Sequence, residues 1–174
     1  MPTRAYFVTL AQYNAWANRR LYDAVARLDD ADYRRPRASF FGSIHATLNH
    51  ILVADRMWSA RIAGLTPPAL KLNQILFEDL PSLRAAREAK DEALVGLVSG
   101  LGEAVLDGDL SYATSRGEPQ RDPLRFVLGH VFNHQTHHRG QVHDMLSQTD
   151  VAPPELDLIY FIRVQRRESA AASG

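Results

Sequence analysis

Four stretches of this chain repeat apolar residues at intervals of three and four, and no stretch of comparable length alternates apolar with polar. Tyr6, Leu10, Tyr13, Ala17, Leu21, Ala24 and Leu28 fall on one side of a helix at 100° per residue, which predicts a first helix over about 4–28. It stops at Asp29-Asp30 and Arg34-Arg35-Pro36-Arg37, because proline disfavours helical geometry in the residue before it. Ser43 as N-cap and the face Ile44, Leu48, Ile51, Trp58 and Ile62 predict a second helix over about 43–63, closed by Gly64 and Pro67-Pro68. Leu83, Ala86, Leu94, Leu97 and Leu101 mark a third, over about 80–104, entered through Asp79 and left near Gly100 and Gly102. A fourth starts at Asp122-Pro123, read as N-cap and first helical residue, and runs to about Ser147.

Residues 65–79, with two prolines and the apolar patch Leu72–Phe77, are too long for a turn between antiparallel neighbours. The fold class is therefore all-α, a four-helix bundle with a long crossover between the second and third helices. Gly108 to Arg121 carries turn formers and a short extended piece around Tyr112. Leu156, Leu158, Ile159, Tyr160 and Phe161 follow Pro153-Pro154 and are expected to pack on the bundle. At 174 residues the chain is one domain, taken as residues 1–167, with 168–174 as a flexible Ser/Ala/Gly tail.

Twenty Lys and Arg balance twenty Asp and Glu, which argues against nucleic acid as a partner, since phosphate backbones are bound by excess positive charge. The chain has no cysteine, so disulfides, iron–sulfur clusters, thiolate zinc sites and Cys nucleophiles are excluded. A metal would need His, Asp or Glu. The longest apolar run, Ala93–Val98, falls far short of the roughly 18 residues that span a bilayer, so no membrane partner is expected. The N-terminus, broken by Gln12, Asn14 and Asn18, has no continuous apolar leader region, and the expected compartment is the cytoplasm.

Five of seven histidines, His130, His134, His137, His138 and His143, lie in the fourth helix. With Leu124 at zero, its apolar residues fill an arc of about ±60°, His138 falls near −40° and His134 near −80°. His130 at about −120°, His137 at about −140° and His143 at about +100° point away from the core. His134 and His138 are four apart and can converge on one cation. His130 and His134 share that spacing but stand nearer solvent. His50 on the second helix, at the border of its apolar face, is the candidate third ligand, whereas His45 looks exposed. Three imidazoles suit zinc, nickel, copper or ferrous iron and leave positions open for water or substrate. Metal loss is expected near pH 6, where free imidazole is protonated.

The run His134-Gln135-Thr136-His137-His138 has Gln where a zincin needs Glu, no Glu-x-x-His occurs for a di-iron bundle, and no G-x-S-x-G starts a serine hydrolase. Asp55 sits on the apolar face of the second helix and needs a donor, for which Arg139 is a candidate. Gln141 stands beside His134 on the wheel and can orient a ligand. Gly140 implies close packing of another helix.

The stretch Leu48-Asn49-His50-Ile51-Leu52-Val53-Ala54-Asp55-Arg56-Met57-Trp58, with His130-Val131-Phe132-Asn133-His134-Gln135-Thr136-His137-His138-Arg139-Gly140-Gln141, resembles the DinB family. The likeness to these DinB/YfiT-like proteins extends through Gln74-Ile75-Leu76, Arg116-Gly117-Glu118-Pro119 and Asp157-Leu158-Ile159-Tyr160. It implies a metal-binding four-helix bundle with a three-histidine site, often dimeric. The positions matching the family's metal ligands are His50, His134 and His138. The implied cofactor is a divalent metal such as Zn, Ni or Fe, and the implied homodimer is in keeping with the aromatic richness of the first helix. The implied activity is a metal-dependent transfer or hydrolysis on a small-molecule substrate, with a low-molecular-weight thiol as co-substrate. A non-catalytic metal- or ligand-binding stress protein is the alternative.

Overall fold

The computed structural model describes residues 3–172. Its helices are α1 (Thr3–Val25), α2 (Asp30–Arg34), α3 (Ile44–Ile62), α4 (Leu80–Gly100), α5 (Glu103–Leu106), α6 (Leu124–Leu146) and α7 (Leu158–Ala172). A hairpin of β1 (Asp109–Ala113) and β2 (Pro119–Pro123) precedes α6. The chain is 64% helical, as the apolar periodicity requires.

Helices α1, α4, α3 and α6 follow one another around the bundle. At one end Leu21 of α1 shares a core cluster with Ile44, Leu83 and Met145. At the other, Phe7 shares one with Ile62, Val98 and Val127. Helices α1 and α6 therefore run one way and α3 and α4 the other. Since α3 and α4 are parallel neighbours, their connection must travel back along the bundle, and residues 63–79 are this crossover. Asn49 pins it: its Oδ1 accepts from the backbone N–H of Leu76 (2.8 Å) and Phe77 (3.0 Å). Arg34 grips its far end through the Glu78 carbonyl.

Ser43 and Asp79 cap α3 and α4 as expected, accepting from the N–H of Ala46 (3.1 Å) and Ser82 (2.8 Å). Four expectations are corrected. The first helix ends at Val25, and a separate turn of helix, α2, follows, capped by Asp29. The third ends at Gly100, with α5 starting after Gly102. Asp122 is not the N-cap of the fourth: residues 119–123 pair with β1, Asp122 accepts from the Tyr112 hydroxyl (2.8 Å), and α6 begins at Leu124. Gly140 has nothing within 4 Å of the position its Cβ would take, so close packing does not account for it.

Most of the aromatic surplus of α1 is covered within the chain, Tyr6 excepted. Tyr13 and Trp16 lie against Phe161 of α7, with ring centroids 6.1 and 5.8 Å away, and the Tyr13 hydroxyl donates to the Leu156 carbonyl (2.7 Å). Residues 168–172, assigned above to a tail, are the last turns of α7; residues 173–174 lie outside the described ones.

Candidate metal centre

His134 and His138 stand one turn apart on α6, and His50 faces them from α3. Their Nε2 atoms form a nearly equilateral triangle: 3.2 Å from His50 to each partner and 3.1 Å between His134 and His138. His50 and His138 are buried and His134 half-buried. The outer pair is not used this way: His130 is exposed, and its ring packs edge-on against Trp58 at 5.1 Å. His137 is exposed, and His143 lies within reach of the Pro154 carbonyl at 3.2 Å. His45, expected exposed, is buried, its Nε2 3.0 Å from the Phe77 carbonyl. It anchors the crossover.

The second nitrogens decide what the triangle can hold. His50 Nδ1 lies 2.7 Å from the Leu72 carbonyl on the crossover, which only accepts, so Nδ1 carries the proton and Nε2 presents a lone pair. His138 Nδ1 donates likewise to Gln141 Oε1 at 2.8 Å, so Gln141 orients His138 rather than the His134 it stands beside on the wheel. Two lone pairs thus face each other at 3.2 Å with no proton between them. A cation relieves that repulsion, and the triangle is small enough for all three nitrogens to reach one ion at the usual imidazole–metal distance of about 2.0–2.1 Å. Burial pushes the imidazole pKa of His50 down to about 4 and that of His134 to about 3, and lowers that of His138. The rings stay neutral, the form that binds metal.

Phe41 stacks on His50 (centroids 3.8 Å apart) and meets His138 edge-on (5.5 Å). His50 and His134 also border a cavity of about 330 Å³ walled by Ala54, Met57, Trp58, Arg61, Leu72 and the hairpin residue Tyr112. The group is accessible from that side.

The DinB family model matches residues 1–170. The chain belongs to the DinB family. It is 27% identical over 172 residues to Protein DinB of Bacillus subtilis (strain 168), spanning 92% of this chain and 96% of that one. A crystal structure of a DinB-like protein from Bacillus cereus superposes with a TM-score of 0.64 at 18% identity, covering 84% of this chain and 94% of the other. That likeness speaks for the fold.

Beneath the triad, this DinB-family chain buries a charged network that fixes α6 in rotation. Asp55, on the helix that carries His50, pairs with Arg87 of α4 (2.5 Å) and accepts from Gln135, beside His134. Arg87 also pairs with Asp91 (2.8 Å), whose carboxylate takes the amides of Asn14 (3.0 Å) and Asn18 (3.0 Å) from α1. Arg139, next to His138, donates to Asn14 and to Thr136 (3.2 Å) and lies over the Tyr13 ring at 5.3 Å. Asp55 is therefore paired, but with Arg87 rather than the expected Arg139. Burial pushes the Asp55 carboxyl upward against the pull of Arg87. For Arg87, burial opposes the charge, but Asp91 and Asp55 outweigh it and hold its pKa above the ordinary range.

Sequence reasoning missed Phe41, Arg61, Arg87 and Tyr112. Arg61 had a signal: eleven residues past His50 is three turns, which returns it to the same face of α3. Phe41 and Tyr112 arrive on loop and hairpin segments without periodicity, and Arg87 is a charge inside a predicted apolar face.

Proposed function

We propose that the chain is a metal-dependent enzyme acting on a small molecule, with His50, His134 and His138 as the protein ligands of a divalent Zn, Ni or Fe ion. The observation that carries the reading is the convergence of three neutral imidazoles, two with their outward nitrogens tied down, beside an accessible cavity. When bound, such an ion polarises an electrophile or lowers the pKa of a coordinated water or thiol. His50 and His138 hold their Nε2 lone pairs inward through Leu72 and Gln141, and Phe41 shields the pair from water. The proposed reaction class is hydrolysis or transfer with a low-molecular-weight thiol.

A cobalt(II)-loaded protein titrated with 2-mercaptoethanol tests the open position. A thiolate-to-cobalt charge-transfer band is the expected result; an unresponsive spectrum would favour the non-catalytic metal-binding alternative, in which protein groups fill every position. Turnover of thiol with an electrophile panel by the loaded protein, lost in His134→Ala, then establishes the reaction class.

The lowered pKa values set the acid limit of retention. For a histidine at about 4 when folded against 6.5 unfolded, the unfolded chain binds more protons through that window, so the metal-free fold loses stability as pH falls through it. Protons compete for folded His50 only at its lower end. Cobalt absorbance is expected to persist at pH 6 and vanish toward pH 4, a lower limit than free imidazole gives; half-loss at pH 6.5 would contradict it.

The homodimer and the cytoplasmic location belong to the same proposal. With Trp16 covered by α7, the support for a dimer moves to Tyr6 on α1 and Phe126 on α6, 49% and 76% exposed at the same end of two parallel helices. None of the helices is long and apolar enough, among the described residues, to cross a membrane. Equilibrium sedimentation reads the dimer directly.

A further inference from the structure

The cavity beside the triad contains a charge that the metal reading does not use. Arg61 is only 8% exposed, yet its guanidinium forms no ion pair or hydrogen bond among the described residues, and its Nε is fully enclosed without a partner. What it has instead is two aromatic faces, Trp58 at 4.6 Å and Tyr112 at 5.3 Å from the guanidinium carbon. Cation–π contact offsets only part of what desolvating a charge costs. Of the other two deeply buried arginines of the bundle, Arg87 lies between the carboxylates of Asp55 and Asp91, and Arg139 donates to the side-chain oxygens of Asn14 and Thr136. Of these three, Arg61 alone has no side-chain acceptor: it lies against two rings in the wall of an open cavity.

The cavity's other contributions define the rest of the occupant. Ala54, Met57 and Leu72 supply apolar wall between Arg61 and the imidazoles of His50 and His134. Along α3 the rise from His50 to Arg61 is about 16 Å, and the long arginine side chain leans back toward the helix N-terminus, shortening the gap. No lysine and no second arginine lines the space. One planar guanidinium with fork-like donors matches one planar carboxylate, whereas a phosphate dianion calls for more positive charge.

We propose that this cavity binds a small carboxylate with an apolar stem, its carboxylate paired to Arg61 between Trp58 and Tyr112 and its other end directed at the histidine triad. This names the substrate class for the function proposed above and rests on that reading for the chemistry at the far end, but not for the binding itself.

The test separates the two. In a Trp16→Phe background, Trp58 is the only tryptophan and reports on the guanidinium stacked upon it. Titration of the protein as purified with hexanoate is expected to change Trp58 emission saturably, with at least about tenfold tighter binding than hexanamide, the neutral counterpart. Arg61→Met is expected to abolish that preference, and Arg61→Lys, which keeps charge but loses the fork, to retain part of it. Circular dichroism and an unchanged cobalt spectrum show that the variants remain folded. Equal binding of hexanoate and hexanamide overturns the proposal; tighter binding of hexyl phosphate than hexanoate overturns its carboxylate assignment. A second arm uses cobalt-loaded protein and ω-mercaptoalkanoates of increasing length, where affinity is expected to peak at the length that reaches both Arg61 and the metal. Hexanoate selectivity without any thiolate–cobalt band would leave the carboxylate site standing and defeat the metal-enzyme reading.

Discussion

Arg87→Ala is expected to destabilise the fold by about 3–5 kcal/mol, the cost of breaking a buried ion pair by removing one partner. Arg87 is 1% exposed and joins Asp55 to Asp91. Its loss strands two carboxylates in the interior, one on α3 and one on α4, with amide donors and the more distant cations Lys90 and Arg139 to compensate. Urea denaturation at pH 7 measures the effect through the transition midpoint. Arg84→Ala, one turn away on the surface, supplies the comparison. Arg84 pairs with Asp23 (2.7 Å) and Glu88 (2.8 Å), yet a partly solvated pair of this kind contributes about 0–1 kcal/mol. Equal losses in the two variants would show that the buried network does not hold the helices in place.

The second large effect concerns the ligands. His50→Ala, His134→Ala and His138→Ala each remove one corner of the Nε2 triangle and are expected to weaken metal affinity by more than the 10–100-fold typical of losing an outer hydrogen-bonding partner. Gln141→Ala removes the acceptor on His138 Nδ1 and is expected to fall within that 10–100-fold range. His137→Ala and His143→Ala are expected to bind metal nearly normally, since neither offers a nitrogen to the triangle: His137 only packs edge-on against His138 (ring centroids 4.8 Å apart), and His143 faces the Pro154 carbonyl. His130→Ala separates the inner set from the outer pair: retention is expected, and its loss together with normal binding by His138→Ala would move the site outward. Competition against a chromogenic chelator gives each affinity.

The bundle was legible because helices bury stripes, and a stripe has a period that a sequence displays. The same period placed His134 and His138 inward, and the α3 stripe brought His50 opposite them. The hairpin was not legible as a pair of strands: four of the five residues of β2 are exposed, and its sequence Pro-Gln-Arg-Asp-Pro has no apolar alternation to read. That omission also misplaced the start of α6, because Asp122-Pro123 has the composition of a helix cap while its backbone is used in the β ladder. His45 misled for a related reason. Its position on the wheel is outside the α3 stripe, but the crossover returns over that face and buries it, a tertiary event with no local signature. Partner choice in the charged network was equally hidden. Asp55 announced a need for a cation, but whether Arg87 or Arg139 met it depended on which helix lay across from α3.

The central claim is that three histidines from two helices make one metal site, and metal content of tag-free protein tests it most directly. Inductively coupled plasma mass spectrometry on the purified protein is expected to find one divalent transition metal per chain, absent from the His50→Ala/His134→Ala/His138→Ala variant in a fold that circular dichroism shows to be intact. Stoichiometric metal retained by that triple variant would contradict the assignment.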